Sequence, residues 1–264
     1  MVNRFIVSQG QSVTLFFKFG FGYVPPEDPI LEIELDNHLI IDKTSYKLTS
    51  GKYHNVVKRQ MSISFSMPDN ITNKQLNSLG KFSVSIGGKQ VYDDNLPDVQ
   101  ILEKNDYFEQ VVVPHNLEKM GFHAHPIGGR DQPDTVVYHR HINTGELFDV
   151  ESTIENPLDL NKFRNDKGKF ETYQNSRKFS RLLIVSLSAN IRSGVIDELN
   201  LGKHPHSLII FEDLYNLRKE FEQKGNYNYV FSILSKTGVI SFGKHNPDFK
   251  WLPPKLFKIP RDIV

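Results

Sequence analysis

Gly128-Gly129-Arg130-Asp131-Gln132-Pro133-Asp134-Thr135-Val136-Val137-Tyr138, followed after a turn by Leu147-Phe148-Asp149-Val150-Glu151-Ser152-Thr153, is the stretch on which the fold of the second half of this chain turns. Thr135 to Tyr138 and Leu147 to Val150 are short β-branched and aromatic runs, and Ile142-Asn143-Thr144-Gly145 between them supplies residues that tolerate positive φ. The pattern predicts two antiparallel strands. A bend centred near Asn143-Thr144 sets Asp134 opposite residue 151 or 152. Alternate residues of a strand share a face, so Asp149 and Glu151 point the same way and Val150 faces another layer. Three carboxylates then meet at one end of a hairpin. Hard cations such as Mg²⁺ take such oxygen ligands, and a metal held by carboxylates activates water and stabilises a phosphorane-like transition state.

The flanking residues work outward from this hairpin. Asp106 to Met120 reads as a helix stopped by Gly121, kinked or split at Pro114, which lacks an amide hydrogen. Glu109 lies early in it, where the helix dipole alone also favours an acid. A polar helix is expected within Leu158 to Gln174, buried strands at Arg181 to Leu187 and Ser207 to Phe211, and an amphipathic helix over Glu212 to Gln223 with Leu214, Leu217 and Phe221 on one face. Asn228 to Leu234 and Gly238 to Phe242 read as a closing hairpin.

On these residues the chain resembles the PD-(D/E)xK nuclease superfamily, and within it the FokI-type cleavage domain, over roughly residues 105–223. The resemblance is carried by Glu109, Gly121-Phe122, Gly128-Gly129, Pro133-Asp134, Asp149-x-Glu151, the strand Arg181 to Ser186, and Ser207 to Leu214. It implies a restriction-endonuclease-like α/β domain with a mixed central sheet. It further implies Mg²⁺, or Mn²⁺ as a substitute, held by Asp134, Asp149 and Glu151, with Glu109 as an accessory catalytic acid. One residue departs from the superfamily pattern. Lysine is usual two positions after the second acid, and this chain has Glu151. Either Glu151 serves as base or ligand, or a lysine of the next segment (Lys162, Lys167 or Lys169) supplies the missing ammonium.

Before residues 95–105 the composition changes. Ser12 to Phe17, Ile30 to Leu35, Met61 to Phe65 and Lys81 to Ile86 alternate apolar and polar residues, and Ile86-Gly87-Gly88-Lys89 signals a hairpin. A β-sandwich-like domain over 1–104 is expected, followed by a nuclease-like domain over 105–264, an α+β chain of two domains. Residues 1–104 hold 11 Lys and Arg against 11 Asp and Glu, a net charge of zero. Docking of a partner or scaffolding fits such a domain at least as well as DNA reading. It is expected to fold as an isolated fragment of about 100 residues.

Composition excludes several classes. The chain has 264 residues, 38% of them hydrophobic, and no cysteine, so neither a disulfide framework nor a thiolate zinc site exists. The longest apolar runs fall far short of the ~20 residues that cross a bilayer, and the N-terminal apolar stretch is too short for a secretory signal. A cytoplasmic protein is expected. No glycine loop ends in Lys-Ser/Thr, which argues against an ATPase. Three His-x-His pairs (His123/His125, His139/His141, His204/His206) offer zinc or iron ligands on a different reading, and His123, His125 and Arg130 are alternatively placed to touch phosphates beside Asp134. The basic, aromatic tail from Lys244 to Arg261 reads either as a backbone-contacting stripe or as a strap packing Trp251 on the core. The functional expectation is a metal-dependent DNA endonuclease, the nuclease subunit of a restriction or phage-defence system, acting as a homodimer or with a partner subunit. The alternative is a non-catalytic β-rich structural or interaction protein of a virion or multi-protein assembly.

Overall fold

The computed structural model describes the chain except residues 1–4, 37–38, 40–44, 52–56, 71–74, 77, 130–131, 140–145, 175–180, 202–205, 243, 247 and 264, and at 49–51, 57–58, 75–76, 146 and 174 it describes the backbone only. The chain forms two compact units, Met1–Glu103 with Leu252–Val264, and Lys104–Trp251.

In the Met1–Glu103 part of the first unit the described strands are β1 (Phe5–Ser8), β2 (Ser12–Phe21), β3 (Ile30–Leu35), β4 (Ser45–Lys47), β5 (Thr49–Gly51), β6 (Val57–Ser66), β7 (Gln75–Leu76), β8 (Gly80–Ile86), β9 (Lys89–Asn95) and β10 (Val99–Leu102), of which β2, β3 and β8 alternate buried and more exposed residues along most of their length. Val13, Leu15, Phe17 and Phe19 of β2 point into one core with Leu31 and Ile33 of β3 and Phe82 and Val84 of β8. Phe17 meets Phe82 edge-on at 5.2 Å, joining the two four-stranded sheets across that core. The hairpin expected at Gly87-Gly88 forms between β8 and β9, with φ of +57° and +75° that a side chain rarely adopts.

In the second unit the helix expected over Asp106–Met120 is one helical run from Lys104 to Lys119 in three pieces: α1 (Lys104–Tyr107), a π-turn (Phe108–Val112) and α2 (Val113–Lys119). Pro114 explains the break. It has no amide hydrogen to give, and the Val113 N–H reaches five residues back to the Phe108 carbonyl. Gly121 ends the run at φ +88°. There follow β11 (Phe122–Pro126), β12 (Thr135–His139), β13 (Glu146–Thr153), α3 (Leu160–Gln174), β14 (Arg181–Ser186), α4 (Ser193–Leu199), β15 (His206–Ile210), α5 (Phe211–Lys224), α6 (Tyr227–Leu234) and β16 (Gly238–Ile240). These strands make a mixed six-stranded sheet in the order β11-β12-β13-β14-β15-β16, antiparallel through β13 and parallel beyond it. Apolar residues fill both faces, as a sheet covered by helices on each side requires. Leu117, Phe122, Val137, Phe148, Val150, Leu183, Val185, Ile209, Leu214 and Val230 share one core, and Phe163, Phe170, Leu182, Ile184, Val195 and Leu208 the other.

Two expectations are corrected here. Tyr227–Leu234 is a helix, and β16 pairs in parallel with β15. The Asn226 side chain caps the helix by accepting the Tyr229 N–H, and Val230, Ile233 and Leu234 bury one stripe. The chain's end also leaves the second unit. β17 (Lys255–Ile263) pairs in parallel with β2 and buries Phe257, Ile259 and Ile263 in the first unit's core. The tail is thereby divided: Trp251 packs edge-on against Phe108 at 5.4 Å, whereas Arg261 holds Asp94 at 2.8 Å within the first unit. Pro260 is tolerated because β17 is an edge strand.

This bears against the expectation that residues 1–100 fold alone. Removing β17 strips three large apolar side chains from the core, at about 1.5–3 kcal/mol each, against a total domain stability of about 5–15 kcal/mol. A 1–103 fragment is expected to lack a cooperative thermal transition, and linking residues 252–264 to it restores one. An equally cooperative melt of the shorter fragment, followed by circular dichroism, contradicts this.

Candidate active site

Strand register places the acids. Thr135 pairs with Val150 and Val136 with Asp149, so the next step sets Asp134 beside Glu151, as the sequence pattern anticipates; the turn itself, Asn143-Thr144, lies outside the described residues. The Asp134 carboxylate accepts the Ser152 N–H at 2.7 Å. Its backbone carbonyl accepts the Ile127 N–H at 2.9 Å, which fixes the approach to β12. Asp149 and Glu151 sit one pleat apart on the face covered by α3, and both are fully buried. Glu109, on the π-turn, is half-buried and accepts a short hydrogen bond from the Asn105 amide.

Helix α3 brings the opposite charge. Lys162, Asp166 and Lys169 recur at i, i+4 and i+7, one stripe of the helix, beside Phe163 and Phe170, which anchor it to the sheet. Lys169 Nζ lies 3.0 Å from Glu151 Oε2 and 3.7 Å from Asp166 Oδ1. Lys162 Nζ holds Asp166 Oδ1 at 2.9 Å. Of the three lysines considered from sequence, Lys169 therefore reaches the acids directly and Lys162 through Asp166. Lys167 turns away to Glu198 at 3.5 Å. Asp166, 1% exposed, is a member of the cluster that the sequence pattern does not single out. Its one signal is the charged i, i+4, i+7 stripe on a helix whose adjacent stripe is apolar.

The electrostatics are unbalanced. Glu109, Asp134, Asp149, Glu151 and Asp166 present five carboxyls against the two ammoniums of Lys162 and Lys169. Burial first, and then Asp134 and Asp166, push the Glu151 carboxyl up to about 9, although Lys169 pulls it down. Burial and Asp134 raise Glu109 to about 7. Asp134 rises through burial despite the Ser152 N–H, and Asp166 rises through burial despite Lys162. Glu151 Oε1 and Asp166 Oδ2 are buried with no hydrogen-bond partner among the described residues.

Hard oxygen donors, excess negative charge and an unsatisfied buried carboxylate oxygen are what a divalent cation neutralises, so the donor chemistry fits Mg²⁺. Among the described residues no three acid or imidazole groups converge as ligands of one ion. Lys169 occupies the Glu151 oxygen that a metal would share. The zinc or iron reading of the His-x-His pairs finds no converging set either among the described residues, and His141 and His204 lie outside them.

The chain is similar to a solved structure of the restriction endonuclease FokI at 14% identity and a TM-score of 0.39, covering 53% of this chain and 29% of that one. A second, of FokI bound to DNA, gives 15% identity and a TM-score of 0.38 over 53% of this chain and 28% of that one. The chain thus spans less than a third of the length of the FokI chains it matches. No family model matches the sequence. No curated protein matches it. None of the helices among the described residues is long and apolar enough to cross a membrane.

Proposed function

We propose that this protein is a metal-dependent endonuclease that hydrolyses phosphodiester bonds of DNA. The observation that carries this reading is the buried, acid-rich cluster at the hairpin end, onto which α3 delivers the Lys169 ammonium 3.0 Å from Glu151. Asp134, Asp149 and Glu151 would be the residues to hold Mg²⁺, or Mn²⁺ in its place, once Lys169 released the Glu151 oxygen it now holds, with Glu109 assisting through Asp134. When bound, the cation polarises the phosphate and lowers the pKa of a coordinated water.

The chain's own groups supply the rest. Lys169 donates hydrogen bonds and positive charge at the point where the scissile phosphate gains negative charge, and a charge developing in a dry, preorganised site is stabilised far more than in water. Asp166 and Lys162 fix the direction of that ammonium. Glu151, kept protonated by burial and by Asp134 and Asp166, would serve as base for the attacking water only after a bound cation had displaced that proton to solvent. The Ser152 N–H keeps one oxygen of Asp134 occupied and leaves the other for a ligand. One such site cuts one strand, so double-strand cleavage needs a homodimer or a partner subunit. The first unit, nearly balanced in charge, serves as a docking module for a partner, and the enzyme acts in the cytoplasm within a restriction or phage-defence system.

Plasmid relaxation tests this. Purified protein with Mg²⁺ is expected to convert supercoiled plasmid to nicked circles, with EDTA abolishing conversion and Asp149→Ala lowering it to background. Absence of relaxation in both Mg²⁺ and Mn²⁺, or relaxation undiminished in Asp149→Ala, favours the non-catalytic interaction protein.

A further inference from the structure

The sheet face that carries the acids is only partly covered. Helix α3 packs over β13 to β15 through Phe163 and Phe170 on Leu182, Ile184 and Leu208. Among the described residues of β11 and β12 on this face, His123 and His125 are exposed and Tyr138 is half-buried, while Val136, between His125 and Asp149, is fully buried. Phe122 and Ala124 turn to the opposite core, so His123 and His125 stand on the acid-bearing side. Their rings lie 5.0 Å apart, and His125 meets Tyr138 of β12 edge-on at 5.7 Å. His125 pairs with Val136, which pairs with Asp149. The imidazole therefore stands two strands, roughly 10 Å, from the acid row. That span corresponds to about three phosphates along a strand's axis.

Resting on the nuclease reading, we infer that His123, His125 and Tyr138 form a shelf that seats the polynucleotide strand leading into the site. The chemistry fits a phosphodiester backbone. Two imidazoles and a phenol offer hydrogen-bond donors and aromatic faces, none of the described side chains on this shelf is a carboxylate, and the neighbouring acids by themselves repel a polyanion. Aromatic rings also accept stacked bases without sequence preference. The shelf lies on a regular edge strand, held to β12 by a continuous ladder from Phe122 to Pro126, so its geometry is fixed before the ligand arrives.

The test measures binding and turnover separately. In full-length Asp134→Asn protein with Ca²⁺, fluorescence anisotropy of a labelled duplex and of the same strand alone gives Kd; in otherwise wild-type protein, plasmid nicking gives kcat and KM. His123→Ala/His125→Ala is expected to raise Kd and KM about tenfold with kcat within twofold of wild type. Tyr138→Ala raises Kd for the single strand more than Tyr138→Phe does. Because both histidines are exposed, His123→Gln/His125→Gln, which keeps hydrogen-bonding capacity, serves as the folding control and recovers most of the affinity. Unchanged Kd and KM in the double alanine variant overturn the shelf, as does a loss confined to kcat. DNA binding that depends on the shelf without any cleavage by wild-type protein refutes the nuclease reading and leaves the shelf standing; cleavage with shelf-independent binding does the reverse.

Discussion

Glu151→Gln is expected to abolish cleavage and at the same time stabilise the metal-free protein at alkaline pH. The carboxyl rises from an ordinary 4.5 to about 9 in the folded state, through burial first and then Asp134 and Asp166. The native state thus keeps a proton that the unfolded chain has lost, and between pH 4.5 and about 9 stability falls as pH rises. The slope reaches about 1.4 kcal/mol per pH unit for each retained proton. Glutamine is neutral throughout and fills nearly the same volume. Its contribution is flat, so the variant matches wild type near pH 5 and exceeds it at pH 8–9 by roughly 2–4 °C in Tm for each kcal/mol regained. Glu109, raised to about 7, leaves a residual slope that ends near neutrality. Cleavage meanwhile falls on the order of 10²–10⁴-fold, since both the proton acceptor and an anionic ligand are gone. Mg²⁺ is expected to raise the Tm of wild type at pH 8 and to leave the variant little changed. Melting curves across pH with and without EDTA decide this, and a variant whose pH slope equals that of wild type contradicts the assignment.

The two parts of this site differ in how legible they are. The hairpin can be read because strand side chains alternate with a period of two, so a turn near Asn143 fixes which acids face each other. That arithmetic sets Asp134 opposite residue 151 or 152, and the ladder, which has an irregularity between Val137 and Tyr138, pairs Thr135 with Val150 and so brings Asp134 beside Glu151. In the first unit β3 spans Ile30–Leu35, as its alternation foretells. What escapes is set by distant partners. Tyr227–Leu234 is rich in aromatic and β-branched residues, which local propensity assigns to a strand, yet it forms a helix that Asn226 caps and that buries Val230, Ile233 and Leu234 along one stripe. The pairing of Lys255–Ile263 with Val13–Phe21 joins segments at opposite ends of the chain, and no local pattern encodes such a partner. Asp166 becomes visible only once α3 is known to lie with its charged stripe against the sheet.

The same stripe yields the sharpest test of Glu151. Glu151→Lys on its own brings a second ammonium beside Lys169, which sits 3.0 Å from the native carboxylate, and removes a hard ligand; cleavage is expected to drop at least about a hundredfold. Lys169→Glu on its own leaves Lys162 as the one ammonium facing Glu109, Asp134, Asp149, Glu151 and Asp166, with added repulsion in a buried place, so both activity and stability fall. The two changes together place a lysine on the strand and a glutamate on the helix. One carboxylate and one ammonium again face each other across the gap between β13 and α3. Groups in direct contact couple by about 0.5–3 kcal/mol, so the double variant is expected to recover stability over the Lys169→Glu protein and at least about tenfold of the activity that either single change loses. Such recovery identifies the position as one where an ammonium and a carboxylate are both needed, whichever element carries which. A Glu151→Lys protein with wild-type rates in Mg²⁺ shows instead that Glu151 is a passive occupant. Losses that simply add in the double variant show that Lys169 acts on its own, away from Glu151.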